Sequence, residues 1–282
     1  ERADISEERR TKLKGAFIAL EGKIRQQIQD FPGEYKAFSL EYNKLLENQK
    51  EGGLDQCLGL LQKGTRFFVK AARLAFFNKL FFETQYGSEL AENALAGVQT
   101  VSTELFDDLI GFAENEIDET TLEEKYGHLR MGQMNILSEP YSADIRKHLN
   151  LDYYKSMDSS AISDAKQEKK LKAEIDHLFL EACDPEIQKD ISNLRILFSA
   201  REGVKFNFMR AYQQLANRIE DVGHAYGLDI QQLAHLSFDD IRRLEKGDLD
   251  AKKALDMSER AKNLHANFSR VKLPETLDEH TD

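Results

Sequence analysis

Three stretches of this 282-residue chain gather side chains able to do chemistry. The first is Tyr126-Gly-His-Leu-Arg-Met-Gly-Gln-Met-Asn135, which sets a histidine, an arginine, a glutamine and an asparagine in a segment held by Gly127 and Gly132. An imidazole titrates near neutrality, so His128 can donate a hydrogen bond or a proton. The fork of Arg130 can grip an anion through two parallel hydrogen bonds. Binding residues concentrate on loops carried by rigid scaffolds. The alternative is a structural loop whose side chains satisfy its own backbone groups. The second stretch, Lys63 to Arg73, holds four cations and no acid. Arg66, Lys70 and Arg73 recur at i, i+4 and i+7, on one helix face, where they can hold a phosphate or carboxylate. The alternative is a solvated face, or pairing with acids of a neighbouring helix. The third, Ser199-Ala-Arg-Glu-Gly-Val-Lys205, places Arg201 and Lys205 one turn apart with Glu202 beside them. It reads first as a buried ion-pair network, and second as a binding site.

Other chemistries find no support. His177, His224, His235 and His265 share no metal-ligand spacing, and no metal site is expected. The paired Glu-x-x-His helices of diiron bundles are absent, as are the P-loop, Gly-x-Ser-x-Gly and His-Glu-x-x-His motifs. Asp107-Asp108, Glu123-Glu124 and Asp239-Asp240 read as helix-start acids rather than paired catalytic carboxylates. Cys57 and Cys183 are too few for a disulfide framework, and no Cys-x-x-Cys is present, so a reducing cytoplasmic setting is expected.

The elements that must position these residues are helices. Only 4 prolines occur, against a usual ~5% of residues, and proline breaks helix interiors. Apolar residues recur every three or four positions almost throughout. One helix is expected from Ile5 to Asp30, ended by Phe31-Pro32-Gly33, with another over Tyr35 to Asn48. Leu54 to Gln62 reads as a short helix stopped near Gly64, with Thr65 capping the next one to Tyr86. The phenylalanines of that helix (Phe67, Phe68, Phe76, Phe77, Phe81 and Phe82) surround it, the mark of a core helix rather than a membrane-binding face. Ser88 starts a further helix, Ser102 or Thr103 another, and Thr120 or Thr121 a short turn closed by Gly127. Residues 127–140 fit no helical period and read as an ordered irregular loop. Tyr153 to Asp164 is polar and Ser-rich at its ends, the composition of a mobile linker. After a helix over Ala165 to Ala182, Asp184-Pro185 opens a long helix running past Val222, punctuated by Gly223 and Gly227. Ser237 to Glu245 and Asp250 to Phe268 complete the set, and Leu273-Pro274 leaves an extended tail.

The expectation is an all-α, multi-helix bundle with one long spanning helix and an irregular loop near 127–140. Its parts are an N-terminal helical segment (1–50), a subdomain with the Tyr-Gly-His-Leu-Arg loop (51–150), a linker (151–164) and a C-terminal subdomain (165–282). The chain opens Glu-Arg-Ala-Asp without an initiating Met, so all of this is expected to be one domain of a larger polypeptide. The net charge of −11 argues against a global nucleic-acid partner. No apolar run reaches the ~18 residues of a membrane span, and no signal peptide is evident.

Several of these segments together resemble phosphoenolpyruvate-synthase-like enzymes, relatives of pyruvate phosphate dikinase. Gly64-Thr65-x-x-Phe68-x-x-x-Ala72-Arg73-x-Ala75-Phe76 is similar to one shared stretch, and Thr100-Val-Ser-Thr-Glu104 to a second. Lys125-Tyr-Gly-His-Leu-Arg130 resembles the family's Tyr-Gly-His-Leu-Arg loop, and Ala200-Arg-Glu-x-x-Lys205 its Ala-Arg-Glu-x-x-Lys helix. The order continues through Gly227-Leu228, Leu236-Ser237, Ile241, Arg260 and Leu273-Pro274, so the likeness covers about residues 50 to 275. The first 50 residues fall outside the resemblance.

The resemblance implies a modular phosphotransferase. In such enzymes an ATP-grasp domain phosphorylates a histidine on a small swivelling domain, which carries the phosphoryl group to an acceptor. Neither the ATP-grasp signatures nor the Thr-x-x-Gly-Gly-x-x-x-His motif of the phosphohistidine domain occurs in this chain. The resemblance therefore implies the helical domain that binds a small-molecule acceptor, inactive alone. No cofactor belongs to the chain itself, and ATP and Mg serve the whole enzyme. Catalytic roles fall to His128 and Arg130, and substrate binding to Thr65, Arg73, Tyr126, Gln133, Asn135, Arg201, Glu202 and Lys205. Arg73, Arg130 and Lys205 would steady phosphoryl charge. The family's aspartate in the loop is Asn135 here, which removes a possible metal ligand or base, and Met131 and Met134 make the loop more apolar and adaptable. The alternative to this reading is a non-catalytic helical scaffold or interaction module.

Overall fold

The computed structural model describes residues 7–48, 52–130 and 135–268, with side chains described from residue 20 to residue 267. Among these residues the regular elements are helices, and the one β-type pairing is an isolated bridge between Arg130 and Pro140. The all-α expectation holds. Three long helices carry the molecule: α1 (Glu7–Asn48), α2 (Leu54–Tyr86) and α9 (Pro185–Tyr226). α2 packs along α9, and α1 lies against both. α9 has 42 residues, about 63 Å of helix at 1.5 Å per residue. It starts as expected, with Asp184 at the N-cap and Pro185 in the first turn. It ends at Gly227, whose left-handed backbone (φ +66°) sends its N–H back to the Gly223 carbonyl. Gly223 itself stays inside the helix, where a β-carbon would strike Leu233.

Four apolar clusters are threaded on α9. At its N-terminal end Ile191 and Leu194 meet Phe82 of α2 and Ala91 and Ala94 of α3 (Ser88–Ala96). Leu197 and Ala200 then pack with Ile24, Ile28 and Phe31 of α1 and with Ala71, Leu74 and Ala75 of α2. Val204 and Ala211 meet Phe38, Tyr42 and Leu46. Leu215, Ile219 and Val222 close on Leu54 and Cys57. That last cluster also takes in α10 (Ile230–Leu233), α11 (Phe238–Glu245) and α12 (Ala251–Phe268). A fifth cluster gathers α4 (Val101–Ala113), α5 (Glu119–Tyr126), α6 (Ile145–His148) and α7 (Leu151–Lys155) around Phe112, Leu122 and Tyr126, with Phe206 of α9 against it.

Two expected breaks are bridged. α1 runs straight through Pro32. The stripe Ile24, Ile28, Phe31, Phe38, Tyr42 and Leu46 stays in phase across it and is buried. Burial of a large apolar side chain contributes ~1.5–3 kcal/mol each, which outweighs the ~3 kcal/mol cost of an interior proline. α2 likewise passes through Gly64, and Thr65 is no cap: its hydroxyl donates to the Leu61 carbonyl one turn back, at 2.9 Å. Most of the phenylalanines of α2 are buried or half-buried as expected of a core helix, but Phe76 is exposed.

Helix starts move by a few residues. Thr100 caps α4 in a reciprocal box with Thr103, and Asp118 caps α5 by accepting from the Thr121 N–H. The segment 151–164, expected as a linker, is largely helical. It holds α7, a short connection, and the start of α8 (Ser159–Glu181), which Asp158 caps. Residues 127–130 and 135–140 form the expected non-helical loop, followed by a 3-10 turn at Tyr141–Ala143. Met131, Gln133 and Met134, and the tail at Leu273-Pro274, lie outside the described residues. No helix among the described residues is long and apolar enough to cross a membrane.

Candidate functional site

α5 delivers the Tyr-Gly-His-Leu-Arg segment to the flank of α9. Tyr126 is its anchor. The ring is buried edge-on to Phe206, and the hydroxyl donates to Asp108 Oδ2 at 2.8 Å. Lys125 Nζ pairs with the same oxygen at 2.6 Å. Burial and the Asp108 charge hold the phenol well above its ordinary pKa.

His128 follows two residues on. Its ring stands edge-on to Phe206, centroids 4.4 Å apart. Its Nε2 is buried and has no hydrogen-bond partner among the described residues. Burial, reinforced by the Arg210 charge, pushes its pKa down to about 4, and a hydrogen bond to the Phe206 backbone opposes the shift only in part. The imidazole is therefore neutral at pH 7.

Arg130 is only 5% exposed. Its Nε donates to Gln213 Oε1 at 3.0 Å, and its Nη1 donates to the carbonyls of Ile136 (3.2 Å) and Ser138. Nη2 has no partner among the described residues, and no carboxylate pairs with the guanidinium there. Burial lowers the Arg130 pKa, while Tyr212 and Glu220 act to raise it. Two backbone bonds close the loop beneath it, Tyr141 N–H to the Leu129 carbonyl and Ser142 N–H to the Gly127 carbonyl. Arg130 thus acts as the internal tie of the loop and fixes it to α9.

Between α5, the loop and α9 lies an open cleft of about 470 Å³. Its lining comes from α5 (Thr120, Glu123 and Glu124), from the segment that follows it (His128 and Ser142) and from α9 (Gln213, Asn217 and Glu220). Glu220 also borders a second hollow, about 610 Å³, with His224, Leu228 and Asp229 at the end of α9. The acids Glu123 and Glu124 sit in the later part of α5 and face the cleft rather than starting a helix, and Asp107-Asp108 fall within α4. Asp239-Asp240 do occupy the first turn of α11.

Other sequence-predicted residues lie elsewhere. Asn135 is exposed and holds a local turn, its Oδ1 accepting from the Leu137 N–H at 3.0 Å. Gln133 lies outside the described residues. Thr65 and Arg73 are on the exposed face of α2. Arg201 pairs with Glu202 at 2.8 Å and stacks over the Phe198 ring. Lys205 is half-buried on α9, next in sequence to Phe206. No hydrogen bond, ion pair or ring contact among the described residues joins Thr65, Arg73, Arg201, Glu202 or Lys205 to His128. The residues that sequence reasoning missed are on α9: Arg210, Gln213, Asn217 and Glu220. Their polar stripe at steps of three and four within an otherwise core-forming helix was the available signal. Among the described residues no three His, Cys, Asp or Glu converge as a metal site. The lone Glu-x-x-His, Glu174 to His177, lies on exposed α8.

Compared with protein-family models, curated proteins and solved structures, the chain matches none.

Proposed function

We propose that this chain is the acceptor-binding helical domain of a phosphoenolpyruvate-synthase-like phosphotransferase of the cytoplasm. The observation that supports the reading is the setting of the Tyr-Gly-His-Leu-Arg segment. Its tyrosine and arginine are anchored, and the neutral histidine between them borders an open cleft with a buried, unpartnered ring nitrogen. In this reading ATP phosphorylates a histidine on a separate swivelling domain, and that phosphohistidine approaches the cleft. An acceptor hydroxyl attacks the phosphorus, the phosphorus–nitrogen bond breaks, and the hydroxyl proton passes to His128, whose Nε2, buried at rest, turns into the cleft to receive it. A histidine with a pKa near 4 is a weak base but is unprotonated at neutral pH. Arg130 positions the loop and does not itself hold the phosphoryl group. Glu123, Glu124 and Glu220 disfavour an anionic acceptor such as pyruvate and suit a neutral or cationic hydroxylated one.

The alternative, a helical scaffold, draws support from the same acids and from the commitment of Arg130 to its own loop. The test uses the whole polypeptide. The phosphohistidine is labelled from ATP, and its discharge is followed on adding pyruvate or an aminoglycoside. Discharge by the aminoglycoside is expected, and His128→Gln should slow it at least ~100-fold, the usual range for loss of a general base, with labelling from ATP unchanged. Discharge that is indifferent to His128→Gln selects the scaffold.

A further inference from the structure

α2 carries five cations, Lys63, Arg66, Lys70, Arg73 and Lys79, and they divide into two groups. The lysines are paired: Lys63 with Glu41 and Lys70 with Glu34 of α1, and Lys79 with Glu83 one turn on. Arg66 and Arg73 are exposed and make no ion pair among the described residues. They lie seven positions apart on a stripe that continues through Val69, Phe76 and Leu80, large apolar side chains that are all exposed, Phe76 by 63%. Positions 66, 69, 73, 76 and 80 alternate steps of three and four, the spacing of a helix seam that faces another helix.

The complementary seam is on α8. Leu171, Ile175 and Leu178 follow the same steps and are each more than half exposed. Glu174 and Glu181 border them, also exposed and also seven positions apart. Glu174 makes no ion pair among the described residues, and Glu181 meets only His177, at 3.5 Å, a pair that needs a protonated imidazole. No residue of α8 is fully buried. It is held to the body by Lys166 with Glu114, Lys169 with Asp107 and Asp176 with Arg195, and by Phe179 and Leu180 near its C-terminal end.

We propose that α2 of one copy of this chain docks along α8 of a second copy. Val69, Phe76 and Leu80 would cover Leu171, Ile175 and Leu178, and Arg66 and Arg73 would pair with Glu174 and Glu181. Both charge pairs are about 10.5 Å apart along their helices, seven residues at 1.5 Å each. At 100° per residue the arginines border the apolar strip of α2 on one side, and the glutamates border that of α8 on the other. The charged edges meet when the two helices run parallel. The same contact made twice about a two-fold axis gives a closed dimer. The occupant is a second copy because this chain itself carries the matching spacing, sign and apolar strip.

Sedimentation velocity on the full chain across a concentration series tests the pairing. The wild-type chain is expected to form dimers that weaken with added salt. R66E/R73E and E174K/E181K should each be monomeric with unchanged helical circular dichroism, since every altered side chain is exposed. Mixing the two variants should restore the dimer, because each then supplies the charge that the other needs at both contacts. A wild-type chain that stays monomeric overturns the proposal and leaves these faces to a different polypeptide. So does self-association that survives either charge reversal, or a mixture that stays monomeric.

Discussion

A histidine whose ring nitrogen is buried without a partner stays neutral because its protonation would strand a charge away from water. That gives His128 a definite effect on stability. Its pKa is about 4 in the folded chain and ~6.5 when unfolded, so between these values the unfolded chain binds more protons. Stability from this group is fully present above pH ~6.5 and is lost as pH falls toward 4, a change on the order of 3 kcal/mol. Urea unfolding at a series of pH values should show a shallower acid slope in His128→Gln than in wild type. Equal slopes would mean that the ring is hydrated. At this scale the sequence conveyed the residue types but not their employment. It left His128 and Arg130 open between ligand binding and loop support. The partners that settle Arg130's hydrogen bonding, the Ile136 and Ser138 carbonyls and Gln213, depend on how the chain returns past α9, and local spacing does not encode that return.

Glycine and proline were the punctuation that misled at the scale of elements. Gly64 has the low helix propensity of a stop, yet it sits inside α2 because the Tyr42 ring lies against its backbone. A β-carbon there would come within 2.5 Å of the Tyr42 hydroxyl and 3.0 Å of Cζ. Tyr42 is fully buried and donates to the Leu60 carbonyl at 3.1 Å, so it has no room to swing aside. Gly64→Ala should therefore destabilise the chain by ~1–3 kcal/mol, the usual cost of overpacking, despite the ~1 kcal/mol gain in helix propensity. Chemical denaturation of the double mutant with Tyr42→Phe should recover part of the loss. A stabilised Gly64→Ala would show that the glycine is a dispensable helix residue. The length of α9 was legible because its apolar period is long and unbroken, whereas α1 and α2 each read as two helices because the break signals at Pro32 and Gly64 outweighed a period that in fact continues across them. Caps were off by two or three residues because Ser102, Thr103, Thr120 and Thr121 fall within two to three positions of the true caps, and their chemistry is the same.

At the scale of the whole molecule, Glu245 ties together parts of the chain that are far apart in sequence. Its carboxylate accepts from the Leu54 N–H at 3.1 Å, at the start of α2, and from Arg218 Nε of α9 at 2.8 Å. Arg242 of α11 reaches Asp55 at 2.6 Å beside it. The two ends of this link are 191 residues apart in sequence. Glu245→Ala leaves a helix-start N–H and a partly buried guanidinium without their acceptor, which should cost ~1–3 kcal/mol. Hydrogen exchange should show the Leu54 amide losing protection well beyond the global change. If that amide stays protected, water or another acceptor substitutes. Such a tie is invisible in a linear reading, where Glu245 is one acid among 50 acidic residues.

The threading of the clusters on α9 also sets a timetable during synthesis. α2 is complete at Tyr86, but the helix that covers its inner face ends at Tyr226. At ~5–20 residues per second a ribosome needs several seconds to half a minute to make the intervening chain. For most of that interval Leu60, Leu74 and Phe82, which become fully or almost fully buried, have mainly α1 and α3 to shelter them, with Phe179 and Leu180 of α8 joining Phe82 late. The nascent chain is most exposed to chaperones and to aggregation in this window, before Pro185 to Tyr226 leaves the exit tunnel.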